Sequence, residues 1–244
     1  MIATQDFFKK RLCSVFSELG IARLLNGERC EAFYTLYRLL IEENEKYNLT
    51  AITEAEGVIL LHFADSLMGA AHIPEGASLI DVGCGAGFPS LPLALCRPDL
   101  SVTASDATAK KTAFVQMAAK EMGLANLTTL TARAEEAGQG EYRERFDVAT
   151  ARAVANLPVL MELATPFVRK GGLFLALKGK NAMEECKAAQ HAAKELKCEV
   201  LFTKEYSIGE KEGAQSRGIL LFQKKAATPK VYPRPFAKIK SHPL

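Results

Sequence analysis

The stretch Leu-Ile-Asp-Val-Gly-Cys-Gly-Ala-Gly-Phe-Pro, Leu79 to Pro89, decides how this chain folds. From Ser78 to Val82 it is apolar and partly β-branched, as a strand buried on both faces of a parallel sheet should be. Gly83, Gly85 and Gly87 then alternate with small residues, and an apolar helix-like run, Leu91 to Cys96, follows. Strand, glycine loop and helix form the unit that brings backbone close to a nucleotide-like ligand. Glycine serves there because it accepts positive φ and has no Cβ to hold the ligand away.

Working outward, strands are expected at 78–82, 101–105, 127–131, 146–151, 172–177, 199–206 and 218–223. Helices are expected near 90–96, 108–123, 156–169 and 181–197. Such alternation predicts a mostly parallel sheet covered on both faces. Only Gly209 to Gly218 separates the last two strands. No crossover helix fits there, so they should pair antiparallel as a hairpin. Upstream, residues 4 to about 75 read as helical. Phe7, Phe8, Leu12, Val15, Phe16 and Leu19 recur at helical spacing, with Gly20 as a stop. A second helix is expected from about Glu28 to Tyr47 and a third from about Glu54 to Ala71. The chain thus divides into a helical extension (1–75) packed on the main domain, an α/β domain (76–226) and a basic C-terminal tail (227–244).

Composition excludes several classes. At 244 residues, with 48% hydrophobic and 24% charged residues, the chain is an ordinary globular protein. No apolar run approaches the roughly 20 residues of a membrane helix. The opening Met1 to Arg11 lacks the apolar core of a signal peptide, so a cytoplasmic location and no membrane partner are expected. The six cysteines (13, 30, 84, 96, 186 and 198) show no metal-ligand spacing, and reduced, mostly buried thiols are expected. Cys84 lies in the glycine loop, where a small side chain is all the position requires. Net charge is only +3, but after Glu212 there is no acidic residue while Arg217, Lys224, Lys225, Lys230, Arg234, Lys238 and Lys240 are basic. That run reads either as a solvated tail or as a phosphate-contacting patch.

The glycine spacing separates cofactor classes. A dinucleotide fingerprint is Gly-x-Gly-x-x-Gly; here Gly83, Gly85 and Gly87 alternate, residue 88 is Phe, and Asp81 precedes the first glycine by two. This resembles motif I of S-adenosylmethionine (SAM)-dependent methyltransferases, whose class I fold also closes a parallel sheet with an antiparallel strand. An NAD-dependent oxidoreductase is disfavoured on both counts. Asp106, at the end of the second strand, can accept hydrogen bonds from ribose hydroxyls. It could instead cap the next helix, but Thr108 can do that and leave Asp106 free. Ala134 and Glu135 follow the third strand, where SAM enzymes read the adenine amino group; in isolation Glu135 would be a solvated acid. Arg152 ends the fourth strand at the carboxyl edge where such sheets bind ligands, so a site role is expected over an internal ion pair.

Further motifs occur in one order: Asn48-Leu-Thr, His62-x-x-Asp65-Ser-Leu, Asp81 to Pro89, Asp106 with Lys110-Lys111, Arg133-Ala-Glu135, Ala151-Arg-Ala-Val154, Lys178-Gly and Tyr232-Pro-Arg234. The series resembles the small-subunit rRNA guanine-N7 methyltransferase family (RsmG, or glucose-inhibited division protein B) over nearly the whole chain. One departure is Ser90, where the family often has glycine; a small, helix-capping residue should be harmless.

The resemblance implies a class I SAM-dependent fold and methyl transfer from SAM to N7 of one guanine in 16S rRNA. It also implies cofactor contacts from Gly83, Gly85, Gly87, Phe88, Asp106, Ala107, Thr108, Ala134, Glu135 and Arg152. Arg152, Lys178, Arg217 and Arg234 are expected substrate contacts. His62 and Asp65 are expected to cap a helix or pack the domains. No catalytic residue and no metal ligand is named, because N7 carries a lone pair and no proton. The partner is then 16S rRNA, the small subunit or an assembly intermediate, met by a monomer. The alternative is a regulatory protein that binds SAM or RNA without turnover.

Overall fold

The computed structural model describes residues 2–152, 155–209 and 213–244. Its centre is a seven-stranded sheet of order β3-β2-β1-β4-β5-β7-β6. The strands are β1 (Ser78–Val82), β2 (Ser101–Asp106), β3 (Leu127–Thr131), β4 (Phe146–Arg152), β5 (Val168–Lys178), β6 (Cys198–Ile208) and β7 (Gln215–Lys224). β1 to β5 run parallel, and β7 lies antiparallel between β5 and β6. Chain order runs outward from β1 through β2 to β3, then returns to β4 on the other side of β1. That reversal makes the carboxyl ends of β1 and β4 a topological switch point, where connections diverge and leave a crevice.

Each strand needs cover on both faces, and helices provide it. Leu79 belongs to one buried cluster while Ile80 and Val82 belong to another, as alternation across the sheet requires. The first cluster runs without a break from the sheet into the helices before it. Helix Gln5–Glu18 buries Phe8, Leu12, Val15 and Phe16, and helix Gly27–Tyr47 buries Phe33, Leu36, Tyr37 and Leu40. Asn26 caps the second helix by accepting the Arg29 N–H at 2.8 Å. Phe8, Phe33 and Phe63 form a chain of ring contacts that reaches Phe88, its last step at 5.9 Å. Phe7 departs from its expected place: it is 54% exposed, because its helical face continues through Arg11, Ser14 and Glu18 and is turned from the core that Phe8, Leu12, Val15 and Phe16 enter.

The third helical run opens as α-helix at Ala55–Gly57, widens to π geometry over Val58–Ala64 and returns to α at Asp65–Leu67. π segments recur at functional sites because they re-aim side chains within a helix. Here the run carries His62 and Asp65 to the switch point.

The C-terminal segment is not a free basic tail. Arg143 donates to the carbonyls of Tyr232 (2.8 Å) and Thr228 (2.7 Å), and Gln139 donates to that of Pro233 (2.7 Å). Lys224, buried, donates to the carbonyls of Thr165 and Val168 and pairs with Glu144. Helix Phe236–Ser241 then packs through Ile239 on Val159 and Leu163 of helix Leu157–Ala164. No helix among the described residues is long and apolar enough to cross a membrane.

Candidate active site

The glycine loop turns on β2. The N–H groups of Gly83 and Cys84 both donate to the Ser105 carbonyl, at 2.8 and 2.9 Å. Gly83, Gly85 and Gly87 all have positive φ, of 76°, 57° and 86°. Their surroundings differ. A Cβ at Gly85 would meet no protein atom within 4 Å, whereas one at Gly87 would lie 2.4 Å from Leu91 Cδ1. Gly85 therefore borders open cleft, whereas the missing Cβ of Gly87 makes room for Leu91 of helix Ser90–Cys96.

That cleft has two lobes sharing Gly83 and Asp106. The larger, about 350 Å³, is bounded by Thr50, His62, Gly85, Phe88, Lys111 and Arg152. The smaller, about 200 Å³, is bounded by Ala107, Ala134, Glu135, Leu163 and Phe236. Asp106 stands where they meet. Its Oδ2 accepts from Gly85 N at 3.1 Å and lies 3.5 Å from Lys111 Nζ; its Oδ1 accepts from Thr108 N at 2.9 Å. A carboxylate offers about four acceptor sites, so capacity remains for ligand hydroxyls. The expected division of labour between Asp106 and Thr108 is corrected here. The Thr108 side chain makes no capping bond, and the carboxylate takes the Thr108 N–H instead.

Asp81 is fully buried beneath the loop. Its Oδ2 accepts the Ser90 N–H at 3.1 Å, so Asp81, and not the Ser90 hydroxyl, satisfies the start of that helix. Burial pushes its carboxyl up to about 7. Burial also pushes the Cys84 thiol well above its ordinary range, which removes it as a nucleophile at neutral pH.

A third cavity, about 310 Å³, adjoins the larger lobe and shares His62 and Arg152 with it; Asp65, Lys178, Glu185 and Arg217 complete its polar lining. Sheet register explains the gathering. Arg152 pairs with Leu177 at the carboxyl end of β4 and β5, and Lys178 pairs with Gly218 where antiparallel β7 begins. Three strand ends thus meet at one edge.

Arg152 is the centre of the contacts there. It donates to the Leu61 carbonyl, to Asp65 Oδ2 at 3.2 Å and to His62 Nδ1 at 3.1 Å, and its guanidinium lies 5.6 Å from the Phe88 ring centroid. Because a guanidinium only donates, Nδ1 of His62 is an acceptor and the ring proton sits on Nε2, which donates to Thr50 Oγ1 at 2.8 Å. The imidazole is stacked on Phe88 at 4.5 Å. Burial, and then the Arg152 charge, hold His62 down to about 3, so it is neutral at physiological pH. Asp65 also accepts from the Tyr206 hydroxyl at 2.7 Å and faces Arg217 Nε at 3.6 Å. His62 and Asp65 therefore cap no helix; they join the helical extension to β4 through Arg152.

Lys178 lines this cavity as a neutralised charge. It donates to the Ala155 carbonyl at 2.6 Å and pairs with Glu185 at 2.8 Å, and Glu185 in turn accepts the Leu157 N–H. Arg234 is not at the cleft at all. Its guanidinium is held bidentately by Glu162, which is 0% exposed, so an internal ion pair already engages it. Ala153 and Val154 of the Ala151–Val154 motif lie outside the described residues.

Residues 29–213 match the family model described as rRNA small subunit methyltransferase G. The chain belongs to that family. It is 44% identical over 211 residues to the Ribosomal RNA small subunit methyltransferase G of Desulfitobacterium hafniense, covering 86% of this chain and 87% of that one. It is 42% identical over 229 residues to the protein of the same name from Brevibacillus brevis, covering 93% and 94%. Among solved structures, M. jannaschii TYW2 in complex with AdoMet superposes with a TM-score of 0.52 at 13% identity, covering 66% of this chain and 77% of that one. That likeness is one of fold. The protein is a SAM-dependent methyltransferase of class I architecture, with its sheet and antiparallel close as expected.

The cleft suits this cofactor. Open space beside Gly85 admits a ligand, and Asp106 and Glu135 supply acceptors without an anion cradle. Sequence reading missed Glu185, Tyr206 and Phe236, and it underrated His62, Asp65 and Thr50. His62, Asp65 and Thr50 stood in its motifs; the other three carried no local signal.

Proposed function

We propose that this protein transfers the methyl group of SAM to N7 of a guanine in small-subunit (16S) rRNA, with the two-lobed cleft as donor site and the adjoining cavity as base site. The carrying observation is the wall between them: His62 and Arg152 line both spaces, so a base in one lies beside a cofactor in the other. Gly83, Gly85, Phe88, Asp106, Ala107, Ala134, Glu135 and Arg152 are the proposed cofactor residues. When bound, SAM supplies an electrophilic methyl on a sulfonium.

The protein's own residues then orient and exclude water. No proton leaves N7, so no base is required, and a neutral His62 fits that demand. Holding the reactants in line can supply about 7–11 kcal/mol. Arg152, Lys178 and Arg217 would meet the acceptor edge of guanine, and Glu185 and Asp65 its N–H groups, as hydrogen-bond polarity requires. A guanine within structured RNA must be turned out to enter. The relatives' names support an enzyme that acts on small-subunit rRNA; the further reading is of a cytoplasmic monomer that meets this rRNA, the small subunit or an assembly intermediate.

The test is to incubate the purified protein with methyl-labelled SAM and small-subunit rRNA or subunits, then map label by borohydride–aniline cleavage, which is specific for N7-methylguanine. One cleavage site is expected. SAM binding without label in any of these RNAs would favour the non-catalytic regulatory reading, and label resistant to cleavage would refute the N7 assignment.

A further inference from the structure

The smaller lobe has an unexpected wall. Asp106, Ala107, Ala134 and Glu135 come from the sheet edge, but Phe236 comes from the far end of the chain and lines the lobe together with Leu163. The segment that carries it is fixed on both sides. Before it, Arg234 makes two side-chain bonds and one backbone bond to the buried Glu162. After it, Ile239 is buried against Val159 and Leu163. Between these anchors Phe236 is left 40% exposed, an apolar ring on a lobe that also holds the carboxylates of Asp106 and Glu135. The anchors on either side hold the ring at the lobe, and an adenine there would cover the part of it that solvent now reaches.

We infer that Phe236 is a cofactor-binding residue that walls the adenosine lobe, and that the C-terminal segment serves cofactor retention. This rests on the reading of the cleft as the SAM site. The lobe offers a flat, apolar side from Phe236, Leu163 and Ala107 and a polar end from Glu135, which matches adenine, with its π-face and exocyclic amine. Contacts between an aromatic side chain and a base are sequence-tolerant and substantial in other nucleotide sites.

The experiment is calorimetric titration of the full-length protein with SAM and, separately, with methylthioadenosine, which keeps the adenosine and lacks the amino-acid portion, in the absence of RNA. Phe236→Ala should raise both dissociation constants by on the order of tenfold, equivalent to about 1.4 kcal/mol. Phe236→Leu should recover most of that, and the melting temperature without ligand should stay unchanged because the ring is half exposed. Asp106→Ala is the reference and should weaken SAM at least as much. If Asp106→Ala loses affinity while Phe236→Ala stays within twofold of wild type, the inference about the C-terminal segment is overturned and the cleft assignment stands. If neither variant loses affinity, the cofactor site itself is misplaced. An affinity loss shared equally by Phe236→Leu, with reduced stability in both, would also overturn it.

Discussion

Replacing Arg234 with alanine should destabilise the fold, and the size of the effect follows from its partner. Glu162 is fully buried and accepts from Arg234 Nε at 2.8 Å, from Arg234 Nη2 at 2.6 Å and from Arg234 N at 2.9 Å. Removing the guanidinium leaves a buried carboxylate with only the backbone N–H. Breaking such a pair from one side costs about 3–5 kcal/mol. For a chain of this size each kcal/mol lowers the melting temperature by about 2–4 °C, so a fall of roughly 6–20 °C is expected. Arg234→Lys should recover only part, because an ammonium cannot make the two parallel bonds. Arg234→Met with Glu162→Leu should recover more, since neither buried charge then lacks a partner. Urea and thermal unfolding followed by circular dichroism read all three. If Arg234→Ala unfolded within 1 kcal/mol of wild type, and instead lowered RNA affinity and reduced its salt slope by about one, Arg234 would be a phosphate contact and this reasoning would fail.

Two further outcomes follow. Gly85→Ala should lose SAM affinity, because its Cβ enters open cleft, and only the about 1–2 kcal/mol of stability that a side chain at positive φ costs; Gly87→Ala should lose about 1–3 kcal/mol beyond that, because its Cβ would also overlap Leu91. Equal effects of both on unfolding would contradict the assignment. For His62, the folded value of about 3 lies below the unfolded 6.5, so between these the unfolded state binds more protons. Stability contributed by this group is full above about 6.5 and falls as pH drops toward 3. Wild type should therefore lose stability faster than His62→Gln on acidification. A single-turnover methylation rate with a His62-dependent pKa near neutrality would rule out the neutral, non-titrating imidazole.

The sheet was legible because the apolar, partly β-branched Ser78–Val82 marks a strand buried on both faces, and the segments after it alternate between short β-branched runs and helical runs. The glycine loop was legible as a loop, but the roles within it were not. Gly85 and Gly87 share a positive φ and differ only in what lies beyond the missing Cβ, which is set by Leu91 and Val115 packing in three dimensions. Charge was the least legible property. Arg234 and Lys224 looked like parts of one basic tail, yet each is matched by an acid distant in sequence, Glu162 and Glu144. A signal did exist for the first: Glu162 is the one charge in the apolar helix Leu157–Ala164, and such an acid must have a partner. Glu185 gave none, since it reaches Lys178 only because helix Ala182–Ala188 packs on β7, where a Cβ at Gly218 would lie 2.1 Å from that of Ala182.

The helical extension is part of the site rather than an attachment to it. Arg152 ends β4, but its acceptors come from the helical extension, the Leu61 carbonyl and His62 from the π segment and Asp65 from the α-turn that follows it. A guanidinium at a strand end with none of these would swing into the cleft and present a bare cation beside a sulfonium, which like charge disfavours. Asp65 offsets that charge, and the neutral His62 adds an acceptor without adding a second cation. The same two residues also fix the Arg152 face turned to the base cavity. The geometry that makes a cationic cofactor tolerable is therefore the geometry that shapes the base site, and changes in the extension should alter SAM affinity and guanine recognition together.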